Sequence, residues 1–229
     1  MSTWSRNRRG VVLSLAALTL LATGLAIAFL WAPHAPDDPA YRIFYIHVPI
    51  ALTAYAFFGW GAWKGLRLLW TGRERYDLES YTGVHIGVIF GVLTLVTGSI
   101  WARYTWGVWW SWGERQLVLF LILFLFYAAY FMLRFSIAPG ASRARISAVY
   151  TLFGVVLIPI SFLAIRLAEE LIHPVVFDRD VGDNLAGSQL LAFLVCLAGM
   201  LGLAATLYVN ELTGKRIDAR LRELRDLLA

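Results

Sequence analysis

Leu117 to Leu133 reads LVLFLILFLFYAAYFML, seventeen consecutive positions without Asp, Glu, Lys or Arg. A helix needs about 20 predominantly apolar residues to cross the roughly 30 Å hydrocarbon core of a bilayer. Five further uncharged runs stand beside it: Val11 to Ala32, Ile43 to Trp63, Thr82 to Ala102, Ile146 to Ile165, and Ser188 to Val209. Backbone polar groups in lipid must be bonded internally, which leaves helices or closed barrels. Barrel strands are about 10 residues long and alternate in polarity, so these runs predict an all-α, polytopic membrane bundle of six transmembrane helices. Composition agrees, with 59% apolar and only 15% charged residues, against roughly 25% charged in a soluble domain.

The first run follows Arg6, Arg8 and Arg9 as a signal peptide would, but it exceeds the usual 7 to 15 residue apolar region. It is therefore expected to remain as a helix. The cytoplasmic side of a membrane protein holds the excess of Lys and Arg. The N-terminus, residues 64 to 81, residues 134 to 145 and the tail from Asn210 carry fifteen of the twenty basic residues. Both termini are thus expected in the cytoplasm, and residues 33 to 42, 103 to 116 and 166 to 187 on the outer side. The net charge of +5 follows from this asymmetry, so no nucleic-acid partner is implied.

Connections such as Thr71-Gly72-Arg73 and Ala138-Pro139-Gly140 are turns between adjacent helices, and no repeat divides residues 1 to 229, so one domain is expected. Gly83, Gly87 and Gly91 recur every four residues and form a smooth stripe where another helix can approach. Pro49 and Pro159 sit inside spans, where neighbours can satisfy the freed carbonyls. The tail from Lys215 mixes basic, acidic and leucine residues in a helical pattern, which fits a solvated helix end or one lying on the anionic leaflet. Cys196, the lone cysteine, lies mid-span and is expected to pack. There is no Cys-x-x-Cys-His, Walker A, His-Glu-x-x-His or Gly-x-Ser-x-Gly run. Covalent haem carriage and ATP hydrolysis by this chain are excluded.

Residues 101 to 115 read WARYTWGVWWSWGER and hold five of the ten tryptophans. An interfacial aromatic belt would scatter them over both ends of six helices. If the segment is helical, Trp106, Trp109 and Trp110 share a face by their i, i+3, i+4 spacing, an apolar platform for a large planar ligand. Arg103 and Arg115 flank it and suit carboxylates on such a ligand, although Glu114 is placed to neutralise Arg115. His47 and His173 lie on the same side, and imidazole is a common axial ligand of haem iron. Two histidines on opposite faces of a stacked porphyrin complete six-coordination. His85, near the basic end of its span, and His34, among the prolines of the first outer loop, are weaker candidates.

Tyr41 to Pro49 (YRIFYIHVP), Val96 to Trp101 (VTGSIW) and Trp106 to Trp112 (WGVWWSW) together resemble the haem-handling proteins with a tryptophan-rich WWD segment. Among these the chain is similar to the cytochrome c maturation protein C family, in which Asp commonly follows the last Trp where Gly113-Glu114 stands here. The resemblance implies haem b held non-covalently in transit, with His47 and His173 on the iron and Trp106, Trp109, Trp110 and Trp112 against the ring. It also implies a bacterial inner-membrane location with the site facing the periplasm or exterior. Implied partners are a CcmE-like haem chaperone, CcmA/CcmB ATP-binding-cassette components and a CcmD-like small helper. The expected role is presentation of haem without enzymatic chemistry. A haem lyase would need further haem sites, for which His85 is the candidate, and a permease would need more polar residues along the spans. Reporter domains fused to either terminus are expected to signal cytoplasmic exposure in a topology assay, and opposite signals would remove one span.

Overall fold

The computed structural model describes residues 3–31, 42–167 and 187–228, which form helices and, among these residues, no strand. The helices are α1 (Thr3–Ala26, continued by a wide turn over Ile27–Trp31), α2 (Phe44–Thr71), α3 (Arg75–Trp106), α4 (Arg115–Ser136), α5 (Ala141–Leu167) and α6 (Ser188–Leu228). The described part of each apolar run lies in one of them, save Ile43, which directly precedes α2. Most of the helices outlast their runs, because backbone bonding continues where side chains become polar.

Among the described residues, five helices are long and apolar enough to cross a membrane. The exception is α2, whose 28 residues suffice in length but include His47, three tryptophans and three glycines. Its position accounts for this: α2 packs on α3, α5 and α6 together. A central helix meets protein on most sides, so its composition answers to packing as much as to lipid. α1 is the reverse case, leaning on α6 with Val11, Val12, Leu13 and Leu15 exposed.

The expected glycine stripe is where α3 meets α2. A Cβ on Gly83 would lie 3.0 Å from the Gly61 backbone, and one on Gly87 would lie 2.5 Å from the Phe58 ring. Phe58 in turn stacks on Tyr127 of α4, centroids 4.0 Å apart and planes within 4°. The α1–α6 contact uses the same device. A Cβ on Gly24 would stand 2.6 Å from Cys196 Sγ, and Cys196 is fully buried, a packing residue as expected.

Contacts also set the chain direction. Gly10 lies near Asn210, Asp77 pairs with Arg134 and Glu79 with Lys64 and Arg216, so the four basic segments share one end of the bundle. Arg134, nearly buried, holds Asp77 through two bonds of 2.7 Å. His85 belongs to this end too: its Nδ1 is 2.6 Å from Glu211 Oε1, and Glu211 also takes Lys215. His85 therefore joins α3 to α6 in a polar network, which accounts for a histidine in that span without a ligand. The tail continues α6 unbroken to Leu228. At 1.5 Å per residue the 41-residue helix is about 60 Å long, twice the hydrocarbon thickness, so the tail is the projecting end of a span.

Gly87→Ala is expected to lower the thermal midpoint of the detergent-solubilised protein, with overpacking costing about 1–3 kcal/mol. Gly59→Ala, whose Cβ meets nothing within 4 Å, should be neutral or gain up to about 1 kcal/mol from helix propensity.

Candidate functional site

The end of the bundle opposite the ion pairs is aromatic. Here α2 begins, α3 ends and α4 begins. Arg42 places its guanidinium 5.5 Å from the Phe29 ring centre at the end of α1. Phe44 stacks on Phe193 of α6 at 5.3 Å, and Tyr45 is fully buried. These two contacts and the burial of Tyr45 seat the first turn of α2 between α1 and α6.

His47 lies in that first turn, half-buried, facing the last turns of α3. Its Nδ1 is 2.8 Å from Thr97 Oγ1. The residue beneath the ring is Gly98, where a Cβ would stand 3.0 Å from His47 Cε1. Gly98 follows Gly91 by seven residues, two turns of helix, so it prolongs the glycine stripe, and what approaches it there is the imidazole. Trp101 is one turn further toward the aromatic end.

α3 stops at Trp106 because Gly107 turns to φ +75°, a left-handed conformation favouring glycine. Arg103, one turn back, donates from its guanidinium to the Gly107 carbonyl, supplying a donor to an orphaned helix-end carbonyl. The next residues form an irregular loop with a turn at Trp112-Gly113, and α4 starts at Arg115.

This corrects the helical platform expected for Trp106, Trp109 and Trp110. The chain is not helical from Gly107 to Glu114, so the i, i+3, i+4 argument does not apply. The rings instead make two edge-on pairs, Trp101 with Trp106 at 5.2 Å and Trp110 with Trp112 at 5.9 Å. Trp109 and Trp112 are 61% and 73% exposed, a large apolar area for a protein surface to leave open. Trp110 is half-buried, and its indole N–H is shielded without a hydrogen-bond partner among the described residues. A buried donor of that kind is uncommon and suits an acceptor that arrives with a ligand.

Arg103 and Arg115 are both exposed at the flanks of the loop, Arg103 with a capping task the sequence did not disclose. Glu114 turns inward, 4% exposed, just before α4. His173 and His34 lie outside the described residues. Among the described residues no group of three His, Cys, Asp or Glu is placed to hold a metal ion, and of the expected pair of histidines His47 is the one described. Thr97 and Gly98 carried no expectation of their own, although both stand inside Val96 to Trp101.

A model of the family described as "Heme exporter protein C" matches residues 3–226. A protein of that name from Bradyrhizobium diazoefficiens is 32% identical over 221 residues, 95% of this chain and 82% of the relative. Another from Paracoccus denitrificans is 31% identical over 222 residues, 96% of this chain and 89% of the relative. A "putative cytochrome c biosynthesis ccmC-like mitochondrial protein" from Arabidopsis thaliana is 29% identical over 170 residues, 74% of this chain and 63% of the relative.

Gly107→Ala is expected to strain the end of α3 by about 1–2 kcal/mol and to alter acrylamide quenching of tryptophan emission. Gly113→Ala, whose backbone is not left-handed, should leave quenching unchanged.

Proposed function

The chain belongs to the haem exporter protein C family and handles haem in cytochrome c biogenesis, and from this we propose that it holds haem b non-covalently at the aromatic end. That end would face the periplasm or exterior of a bacterial inner membrane, because the basic segments gather at the other. The observation that supports the proposal is that His47 lies against Gly98, itself one helical turn from Trp101, on the same end as the tryptophan loop.

Haem is the cargo. His47 supplies an imidazole for its iron, and His173 supplies the second in this reading. Trp109 and Trp112 offer exposed rings to the porphyrin, where offset or edge contacts add about 0.5–1.5 kcal/mol beyond area burial. The shielded N–H of Trp110 and the guanidiniums of Arg103 and Arg115 are donors for the propionates. A porphyrin held at such an edge keeps part of its perimeter open, which suits delivery to a CcmE-like chaperone. CcmA/CcmB ATP-binding-cassette components would supply the nucleotide hydrolysis this chain lacks, beside a CcmD-like helper. Covalent attachment to an apocytochrome falls to other proteins.

Purified wild-type protein is expected to carry a Soret band that falls to a minor fraction in His47→Ala and in His173→Ala. Trp109→Ala with Trp112→Ala should weaken haem binding by up to about tenfold per ring. Unchanged haem content in both histidine variants would overturn the proposal.

A further inference from the structure

We propose that Thr97 fixes the tautomer of His47, holding the ring proton on Nδ1 so that Nε2 carries the lone pair for the haem iron; this deepens the haem-binding reading and rests on it. The argument counts protons. Thr97 has one hydroxyl proton and three polar neighbours. Its Oγ1 is 2.7 Å from the Leu93 carbonyl oxygen and 3.3 Å from that of Thr94. Carbonyls only accept, so a 2.7 Å contact between two oxygens requires the hydroxyl proton to lie between them.

With that proton committed to α3's own backbone, Oγ1 faces His47 Nδ1, 2.8 Å away, as an acceptor. Nδ1 must then be the donor. In a neutral imidazole one nitrogen bears the proton and the other the lone pair, so Nε2 is the ligating nitrogen. The opposite tautomer would set the Nδ1 lone pair against the lone pairs of Oγ1 with no proton between. Histidine ligands commonly donate their second N–H to such an acceptor, which orients the ring and raises its basicity.

Gly98 completes the device. The ring carbon nearest it is Cε1, between the two nitrogens, and a Cβ at position 98 would stand 3.0 Å from that carbon. Thr97 therefore sets the proton, and Gly98 leaves room for the ring to lie where Thr97 can reach it. Thr97 is a positioning residue in this scheme and touches no haem atom.

The test uses full-length protein in detergent, labelled with nitrogen-15 at histidine, prepared without haem and held above the ordinary histidine pKa. Nitrogen NMR is expected to show His47 protonated at Nδ1. Thr97→Val, equal in shape but without the hydroxyl, should mix the two tautomers, and Thr97→Ser should restore the wild-type pattern. On haem titration Thr97→Val should lose about 10–100-fold in affinity and bind with a higher midpoint potential, because a less basic imidazole favours ferric iron less; Thr97→Ser should recover both. A wild-type proton on Nε2, or a Thr97→Val protein with an unchanged tautomer, would overturn the assignment to Thr97. Unchanged haem content in both His47→Ala and His173→Ala would instead overturn the haem reading beneath it, and the haem-free NMR distinguishes the two failures.

Discussion

The close approach of α2 to α3 is the contact on which the rest depends. Gly61 and Gly83 bring the two backbones together near the basic end, and the line of contact then runs through Gly87 against Phe58 to Gly98 against His47. In lipid, helices gain little from burying apolar surface against one another, so association relies on packing and polar contacts between them. Small residues spaced by turns of α3 meet both needs. They let α2 lie flush, and at the far end they leave a gap that fits an imidazole. The bundle's packing and the position of its principal polar side chain at the aromatic end are one geometric fact.

The two ends of the bundle are built from opposite chemistry. At the basic end, Asp77–Arg134, Glu79 with Lys64 and Arg216, and Glu211 with His85 and Lys215 tie α2, α3, α4 and α6 together. Removing one partner of a shielded pair leaves a charge uncompensated, so these ties hold helix spacing where the spans leave the membrane. At the aromatic end the connection from α3 to α4 is irregular and carries exposed tryptophans. The two ends thus divide the bundle between ion pairing and exposed aromatic surface.

Two histidines show how context divides one residue type. His85 meets a carboxylate on a neighbouring span and serves the helix-joining network. His47 meets a hydroxyl that is itself bonded back to its own helix. The carboxylate of Glu211 also holds Lys215 and so draws His85 into a network between helices, whereas the hydroxyl of Thr97 is tied to the backbone of α3. The Thr97 contact, in the inference drawn above, orients the ring and places its proton.

Six helices, their order and the end at which the tryptophans gather were all readable in the sequence, because the demands of lipid act on single segments: length, lack of charge and the bias of basic residues need no knowledge of neighbours. The glycine stripe on α3 was equally legible, since helical periodicity alone puts Gly83, Gly87 and Gly91 on one face. What the tertiary structure decided was what fills that face and where regularity ends. Gly107 breaks α3 one residue after Trp106, so a platform that looked continuous by spacing became two edge-on pairs, a result that turns on one φ angle. The bond from His47 to Thr97 joins residues fifty positions apart, and sequence spacing carries no information about a contact made only when two separate helices cross.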